Sequence, residues 1–193
     1  MNAGAASGPI EGRRREPCLV VVMGVAGCGK STVGQALAQD LVAPFLEGDT
    51  LHPAANIAKM SAGIPLDDDD RAPWLDALGQ AAGAAARAAP GGISVAACSA
   101  LKRAYRDRLR RAAAMPLRIV CLHGERDLLQ QRLGARQGHF MPPSLLESQL
   151  RTLELPGRDE DALLLDVALP PQALVGEAIA WVRGAHPRPA RRA

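Results

Sequence analysis

A glycine-rich loop near the start of the chain carries the clearest chemical signal. Its sequence is Gly24-Val25-Ala26-Gly27-Cys28-Gly29-Lys30-Ser31, which matches the pattern G-x-x-x-x-G-K-[ST]. Glycines let successive backbone N–H groups turn inward around phosphate oxygens, and the next helix directs its N-terminus at the same anion. Lys30 would reach the β- and γ-phosphates, and Ser31 would ligate Mg²⁺. The loop, together with Thr32, therefore predicts a site for a nucleotide and Mg²⁺.

The loop alone does not distinguish a switch GTPase, an ATPase and a small-molecule kinase. A guanine-reading N-K-x-D motif is absent, because none of the three lysines follows an asparagine. The run 163–166 resembles the strand-plus-aspartate of a Walker B motif. Its late position favours an edge strand, so we expect a structural role for Asp166.

Two carboxylates follow the second predicted strand. Glu47 and Asp49 are separated by one glycine at the C-terminal end of the strand, where open α/β sheets bind ligands. Glu47 could support the Mg²⁺ shell, and Asp49 could accept the proton of a hydroxyl nucleophile. The alternative is a solvated loop without a chemical role.

Three polar residues come next at helical spacing. His52, Asn56 and Lys59 would share one face of a helix, and such a face could bind a polyhydroxy or acidic ligand. A plain solvent-exposed face is the alternative. After the third long strand, Lys102 and Tyr105 share a second helical face with Arg106, again at the C-terminal edge of the sheet.

A run of four aspartates occupies positions 67–70. Adjacent carboxylates repel one another, so a cationic partner or a helix N-terminus should compensate them. We expect Asp69 or Asp70 to cap a helix that begins near Arg71. A cap accounts for one or two of the aspartates but not for all four.

The last polar cluster contains two arginines one helical turn apart. Arg132 and Arg136 precede the segment Gly138-His139-Phe140-Met141. A glycine-punctuated loop with guanidinium groups could form a lid over the phosphates and stabilise the transferring phosphoryl group. The alternative is a basic helix end, which the helix dipole favours.

Alternating strand and helix patterns position these segments. Apolar runs predict strands at 18–23, 44–47, 93–98, 117–122 and 163–167. Helical patterns lie at 30–41, 53–61, 71–89, 101–114, 125–136, 143–153 and 171–183. The first strand is apolar on both faces, as is typical of a central parallel strand. We predict an α/β fold with a mostly parallel five-stranded sheet flanked by helices.

Length and composition exclude several classes of protein. The 193 residues include only five aromatics, which disfavours stacking on nucleic-acid bases. The segment 1–17 has a net charge of +1 and 183–193 of +4, so the net +3 leaves a mildly acidic body that is unsuited to binding DNA. No stretch is apolar enough for a membrane helix. We predict a folded domain at 18–183 between disordered segments 1–17 and 184–193, in a reducing compartment.

Taken together, these segments resemble the gluconokinases, small P-loop kinases related to shikimate kinase and the nucleoside-monophosphate kinases. The resemblance spans about residues 18–183 and is carried by the phosphate loop, Glu47-Gly48-Asp49 with His52-Pro53, Asn56, Lys59-Met60, 63–75, 98–107, 136–141, Gln149, Leu153-Glu154 and Pro156. The aspartate-rich segment ending in Pro73-Trp74-Leu75 and the run Cys98-Ser99-Ala100-Leu101-Lys102 are the most specific of these.

The resemblance implies the P-loop kinase fold with a mobile lid. It also implies ATP-dependent phosphorylation of D-gluconate at its 6-hydroxyl, with Mg²⁺, in the cytoplasm, by a homodimer. Arg71 would help hold the sugar-acid carboxylate, and Arg132 and Arg136 would belong to the nucleotide and lid region.

For the substrate itself, we predict contacts from Asp49, His52, Lys59, Arg71, Lys102 and His139. Another small-molecule P-loop kinase, of the shikimate or nucleoside type, is the alternative. A nucleotide-dependent binding protein without catalysis is a third hypothesis.

Overall fold

The computed structural model describes residues 16–134 and 143–184. The strands are β1 (Cys18–Met23), β2 (Phe45–Glu47), β3 (Ile93–Ala97), β4 (Leu117–His123) and β5 (Ala162–Asp166). The helices are α1 (Lys30–Leu41), α2 (Ala54–Ser61), α3 (Asp68–Ala88), α4 (Arg103–Ala113), α5 (Arg126–Gly134), α6 (Pro143–Thr152) and α7 (Pro171–Val182). A 3₁₀ turn, Gly48–Leu51, follows β2. Every predicted strand and helix is present.

The five strands form one parallel sheet in the order β2-β3-β1-β4-β5. This confirms the predicted α/β fold and places Asp166 on an edge strand. From β1 the chain continues toward β2, at one end of the strand order, and from β3 it continues toward β4, nearer the other end. The connections that leave the adjacent strands β1 and β3 therefore run in opposite directions. In open parallel sheets, ligands bind outside the carboxyl ends of the strands at such a point.

Alternate residues of β1 fill two cores, one on each face of the sheet. Val20 and Val22 pack with buried side chains of α1 and α7, whereas Leu19 and Val21 pack with those of α3 and α4. Both sets are fully excluded from solvent, as expected for a central strand of a parallel sheet. Within the described ranges, no helix is both long and apolar enough to cross a membrane.

The start of α3 differs from the sequence-based expectation. The helix begins at Asp68 rather than near Arg71, and its N-cap is Asp67 rather than Asp69 or Asp70. The Asp67 carboxylate accepts from the Asp70 N–H at 2.8 Å, and the Asp70 carboxylate accepts from the Asp67 N–H at 3.0 Å. This reciprocal capping box explains two of the four aspartates.

Helices α3 and α4 pack closely because α3 presents glycines to its neighbour. A Cβ atom at Gly79 would lie 2.6 Å from the Cβ of Ala112, and one at Gly83 would lie 2.6 Å from the carbonyl oxygen of Ala113. Any larger side chain at either position would push the two helices apart.

A buried ion pair fastens α4 to the segment that precedes β5. The Arg106 guanidinium donates to both carboxylate oxygens of Glu160 at 2.6 and 2.9 Å, and also to the carbonyl oxygens of Ala100, Leu101 and Glu154. Both side chains are at most 2% exposed. Arg106 therefore points into the protein. The prediction from helical spacing that it shares a ligand-binding face with Lys102 is wrong.

Candidate active site

The glycine-rich loop lies between the buried end of β1 and the start of α1. Gly24, Gly27 and Gly29 have φ values of 144°, 80° and 93°, a region that side chains other than glycine rarely adopt. The Lys30 ammonium folds back over the loop and donates to the Val25 carbonyl oxygen at 3.0 Å. The loop has the backbone geometry that the motif requires, with Lys30 and Ser31 in the first turn of α1.

The loop also contacts α6, which the sequence did not suggest. The Gln149 side-chain oxygen accepts from the Ala26 N–H at 2.7 Å, across 123 residues of sequence. In the sequence, Gln149 stands out only as one of the residues that carry the family resemblance. Its contact with a loop amide adds it to the residues that shape the phosphate site.

The turn carrying Asp49 is wedged against the neighbouring strand. A Cβ atom at Gly48 would lie 2.4 Å from the carbonyl oxygen of Ala97, the last residue of β3, so only glycine fits there. The buried Trp74 of α3 donates from Nε1 to the Gly48 carbonyl oxygen at 2.7 Å. Glu47 is half-buried at the end of β2, and Asp49 is exposed on the turn. Both carboxylates thus lie at the same sheet edge as the phosphate loop.

His52, Asn56 and Lys59 form contacts between α2 and the start of α3. Asn56 donates to the Asp70 carbonyl oxygen at 2.8 Å and contacts His52 Nδ1 at 3.3 Å. The Lys59 ammonium binds both carboxylate oxygens of Asp70 at 2.6 and 2.7 Å. His52 precedes α2, and both it and Asn56 are buried. The expected ligand-binding face is therefore turned largely toward protein.

Burial determines the charge of His52. Its imidazole stacks on the Trp74 indole with the ring centroids 4.0 Å apart and the planes 20° from parallel. Burial lowers the pKa of His52 below 6.5. The negative charge of Asp49 opposes this effect, and the positive charge of Arg71 adds to it. His52 is accordingly neutral at pH 7.

Asp68 binds two of the polar side chains that the sequence predicts for the site. The Lys102 ammonium donates to its two carboxylate oxygens at 2.7 and 2.9 Å, and the Tyr105 hydroxyl donates to one of them. Hydrogen bonds from Lys102 and Tyr105 hold the pKa of the Asp68 carboxyl below its ordinary value. Asp70 likewise has a lowered pKa because it binds Lys59. Asp68, which lies outside the capping box, and Asp70, which belongs to it, thus balance the charges of Lys102 and Lys59.

Arg71 differs from the two lysines in the partners it has. Its guanidinium donates to the Leu66 carbonyl oxygen at 2.5 Å and to the Tyr105 hydroxyl at 3.2 Å. Both partners are neutral oxygens, so these contacts do not offset its charge. A cleft of about 490 Å³ opens beside it, lined by Leu66, Asp67, Asp68, Asp69, Arg71, Lys102 and Thr152.

The predicted lid residues are only partly described. The Arg132 guanidinium, near the end of α5, donates to the Val167 carbonyl oxygen at 2.8 Å, just after β5. This places Arg132 at the same sheet edge as the phosphate loop. Arg136 and His139 lie outside the described residues.

Comparison with known proteins identifies the family. A family model described as an AAA domain matches residues 19–156. The thermoresistant gluconokinase of Escherichia coli (strain K12) is 45% identical over 86% of this chain and 93% of its own length. The gluconokinase of Gluconobacter oxydans (strain 621H) is 46% identical over 85% of this chain and 90% of its own length.

A solved structure agrees with these sequence relatives. The gluconokinase from Sinorhizobium meliloti 1021 superposes with a TM-score of 0.78 at 50% identity, covering 89% of this chain and 95% of that one. The aligned region covers 85–89% of this chain in these three comparisons. This chain belongs to the gluconokinase family of P-loop kinases.

Proposed function

We propose that this chain transfers the γ-phosphoryl group of ATP to the 6-hydroxyl of D-gluconate, forming 6-phosphogluconate and ADP. The observation that carries the proposal is the 45% identity to a relative named gluconokinase across 86% of the chain. The crevice supports it, because a phosphate loop, a carboxylate-bearing turn and several cationic side chains meet at one edge of the sheet. Gluconate is an anionic polyol and needs such donors.

The phosphate loop would bind the nucleotide through residues 24–32. Its inward-turning N–H groups and Lys30 would hold the phosphate oxygens. The donor set suits Mg²⁺, since the Ser31 hydroxyl and the Glu47 carboxylate offer the hard oxygen ligands that this ion prefers. Bound there, Mg²⁺ would supply charge neutralisation on the phosphates. Arg132, near the end of α5, would add guanidinium charge to the phosphate side of the crevice, and the same role for Arg136 stays a prediction of the family resemblance.

Asp49 would be the base on the acceptor side. An exposed carboxylate on a wedged turn, beside the phosphate loop, can accept the proton of a hydroxyl as it attacks phosphorus. The 6-hydroxyl of gluconate is a primary alcohol, which keeps its proton at neutral pH and gains from this transfer. A contact of His139 with the acceptor stays a prediction of the sequence.

Arg71 and Lys102 would bind the carboxylate end of gluconate. They border the same cleft, and the hydrogen bonds of Arg71 go to neutral oxygens. Its charge also acts on the nearby Asp68, so the gluconate carboxylate would share the two cations with that aspartate. Lys102 pairs with Asp68, so it would bind the acceptor either while keeping this ion pair or after breaking it. His52 and Lys59 would reach the polyol only by exchanging their present partners, so we propose that their main contribution is to hold the start of α3 in place.

The direct test is a coupled assay of ADP release with D-gluconate, shikimate and nucleosides as acceptors. We expect turnover with gluconate and none with the others. Asp49→Asn should lower kcat about 10²- to 10⁴-fold through loss of the base, and Lys30→Ala should abolish turnover. Asp76→Asn is the matched control, since Asp76 pairs with Arg108 at the α3–α4 surface and should leave kcat unchanged.

Two results would contradict the proposal. Turnover with another acceptor while gluconate is inert would indicate a different small-molecule kinase. Tight ATP binding without ADP release for any acceptor would indicate a nucleotide-dependent binding protein. A cytoplasmic location and a homodimer stay predictions of the family resemblance, which cell fractionation and sedimentation equilibrium would test.

A further inference from the structure

We propose that Trp74 is the positioning residue that places the Asp49 carboxylate for phosphoryl transfer. The inference rests on the proposed function in one respect only, the role given to Asp49. Trp74 belongs to α3 and is 1% exposed, so it does not touch a ligand itself. Its influence passes through the 3₁₀ turn at Gly48–Leu51, whose second residue is Asp49.

Trp74 contacts that turn at both of its ends. At the beginning, the indole Nε1–H donates to the Gly48 carbonyl oxygen at 2.7 Å. Just after the end, the indole ring stacks on the imidazole of His52 at 4.0 Å between centroids. The backbone N–H of His52 in turn donates to the Asp49 carbonyl oxygen at 3.5 Å. One side chain thus spans the whole segment that presents Asp49.

The bond to Gly48 fixes the backbone of Asp49 directly. The Gly48 carbonyl belongs to the planar peptide unit that includes the N and Cα atoms of Asp49. When the direction of that carbonyl is set, the position of the Asp49 Cα atom is set with it. The Ala97 carbonyl oxygen limits the opposite side of Gly48, because a Cβ there would lie 2.4 Å away. The peptide is therefore confined between β3 and Trp74.

A purely space-filling role does not require an indole. Trp74 packs in a core with Leu75, Leu78 and other apolar residues, where phenylalanine or leucine would also exclude water. The N–H group is what distinguishes tryptophan, and its partner is the residue immediately before the proposed base. The N–H can be removed while the ring is kept, which separates positioning from packing.

The test compares three proteins: the wild type, Trp74→Phe and the control Trp181→Phe. Trp181 is also buried in a core, but it stacks on Arg118 on the other face of the sheet. A fourth protein carries benzothienylalanine at position 74, which keeps the bicyclic shape and replaces the N–H by sulfur. This analogue keeps the test decisive even if phenylalanine at position 74 prevents folding.

Hydrogen exchange measures the turn without reference to activity. We expect the amides of 48–52 to exchange at least about tenfold faster in the two position-74 variants, because loss of one hydrogen bond changes a local opening equilibrium by about that factor. The same amides should be unchanged in Trp181→Phe. Unaltered exchange in both position-74 variants would overturn the inference.

Kinetics then connect the turn to the reaction. We expect kcat with gluconate to fall about 10- to 100-fold in the position-74 variants, as for a small misplacement of a reacting group. KM for ATP should stay within about twofold, since Trp74 packs in the core on one face of the sheet, whereas the buried loop residues Val25 and Cys28 pack in the core on the other. In an Asp49→Asn background the same change should cost less than about threefold, because the base it positions is already gone.

The outcomes separate the two proposals. An equal loss of kcat with and without Asp49 would overturn the inference, since Trp74 would then act by another route. Faster exchange with normal kcat would overturn it as well. If the wild type does not phosphorylate gluconate, the proposed function fails, and the exchange measurement still decides whether Trp74 holds the turn.

Discussion

Removing either partner of the Arg106–Glu160 pair should destabilise the protein severely. Arg106→Met leaves a Glu160 carboxylate that is 2% exposed without its cation, and it also removes a donor from three carbonyl oxygens. Breaking a buried ion pair from one side costs about 3–5 kcal/mol. Domains of this size have a total stability of about 5–15 kcal/mol, so at least about a fifth of the free energy of unfolding would be lost.

The two single variants should differ in a defined way. Glu160→Gln keeps an acceptor for the guanidinium and leaves its three carbonyl partners in place, so its cost should lie near the lower limit, at about 3 kcal/mol. Arg106→Met should lie near about 5 kcal/mol, equivalent to a fall in Tm of roughly 10–20 °C for a protein of this length. The double variant should cost less than the sum of the singles by about 1–3 kcal/mol.

Equilibrium unfolding in guanidinium chloride at pH 7 measures these differences. Arg103→Met is the matched control: Arg103 lies on the same helix and binds Asp159 through two hydrogen bonds, but the two side chains are 50% and 62% exposed. Exposed pairs contribute about 0–1 kcal/mol, so the control should stay within that range. Costs of Arg106→Met and Glu160→Gln that add to the value of the double variant would refute the reasoning.

The same pair predicts a pH dependence with a fixed sign. Burial alone would raise the pKa of Glu160, but the Arg106 guanidinium and the Gly157 N–H hold it below the ordinary value of 4.5. The folded protein therefore binds fewer protons than the unfolded chain in this range. Stability from Glu160 is present above pH 4.5 and is lost as the pH falls through the lowered pKa. Glu160→Gln should flatten this acid limb of the stability curve.

Three further predictions concern the site. Because burial lowers the pKa of His52, wild-type stability should fall as the pH drops from 6.5, and His52→Gln should reduce this fall in Tm measured against pH. Gly48→Ala should lower stability by about 1–3 kcal/mol through overpacking, whereas Gly91→Ala, with no atom within 4 Å of the new Cβ, should not; equal unfolding midpoints would contradict this. Gln149→Ala should raise KM for ATP about 3- to 10-fold, because the Ala26 N–H loses the hydrogen bond that holds this part of the phosphate loop in place. An unchanged KM would exclude a role for Gln149 in shaping the loop.

The elements of the fold could be predicted because their signals are local. An apolar run such as Cys18–Met23 suits a central strand of a parallel sheet, which is excluded from water on both faces, and a phosphate loop follows such a strand. The predicted start of α3 was less accurate, because any of four consecutive aspartates could act as the N-cap. Only the backbone conformation decides that Asp67 is the one used. The predictions of the glycine-rich loop and of Asp49 used no tertiary information, and the role of Asp49 as the base stays a prediction.

The partners of the charged residues could not be predicted in the same way. Helical spacing placed Lys102, Tyr105 and Arg106 on one side of α4. Whether each side chain meets solvent or protein depends on segments 34 and 54 residues away in sequence. Glu160 turns Arg106 inward, and Asp68 draws Lys102 toward the start of α3. Nothing in the sequence indicates that the Trp74 N–H binds the carbonyl oxygen of Gly48, the residue before Asp49.

The glycine contacts between α3 and α4 have a consequence for how an acceptor would be bound. Backbone-close packing makes the two helices a single stiff unit, and that unit carries Arg71 near the start of one helix and Lys102 at the N-cap of the other. The separation of the two cations is therefore set when the protein folds, and the entropy of bringing them together does not count against binding. Closure over the phosphates would then have to move the α5 and α6 side of the crevice while the α3–α4 side stays still.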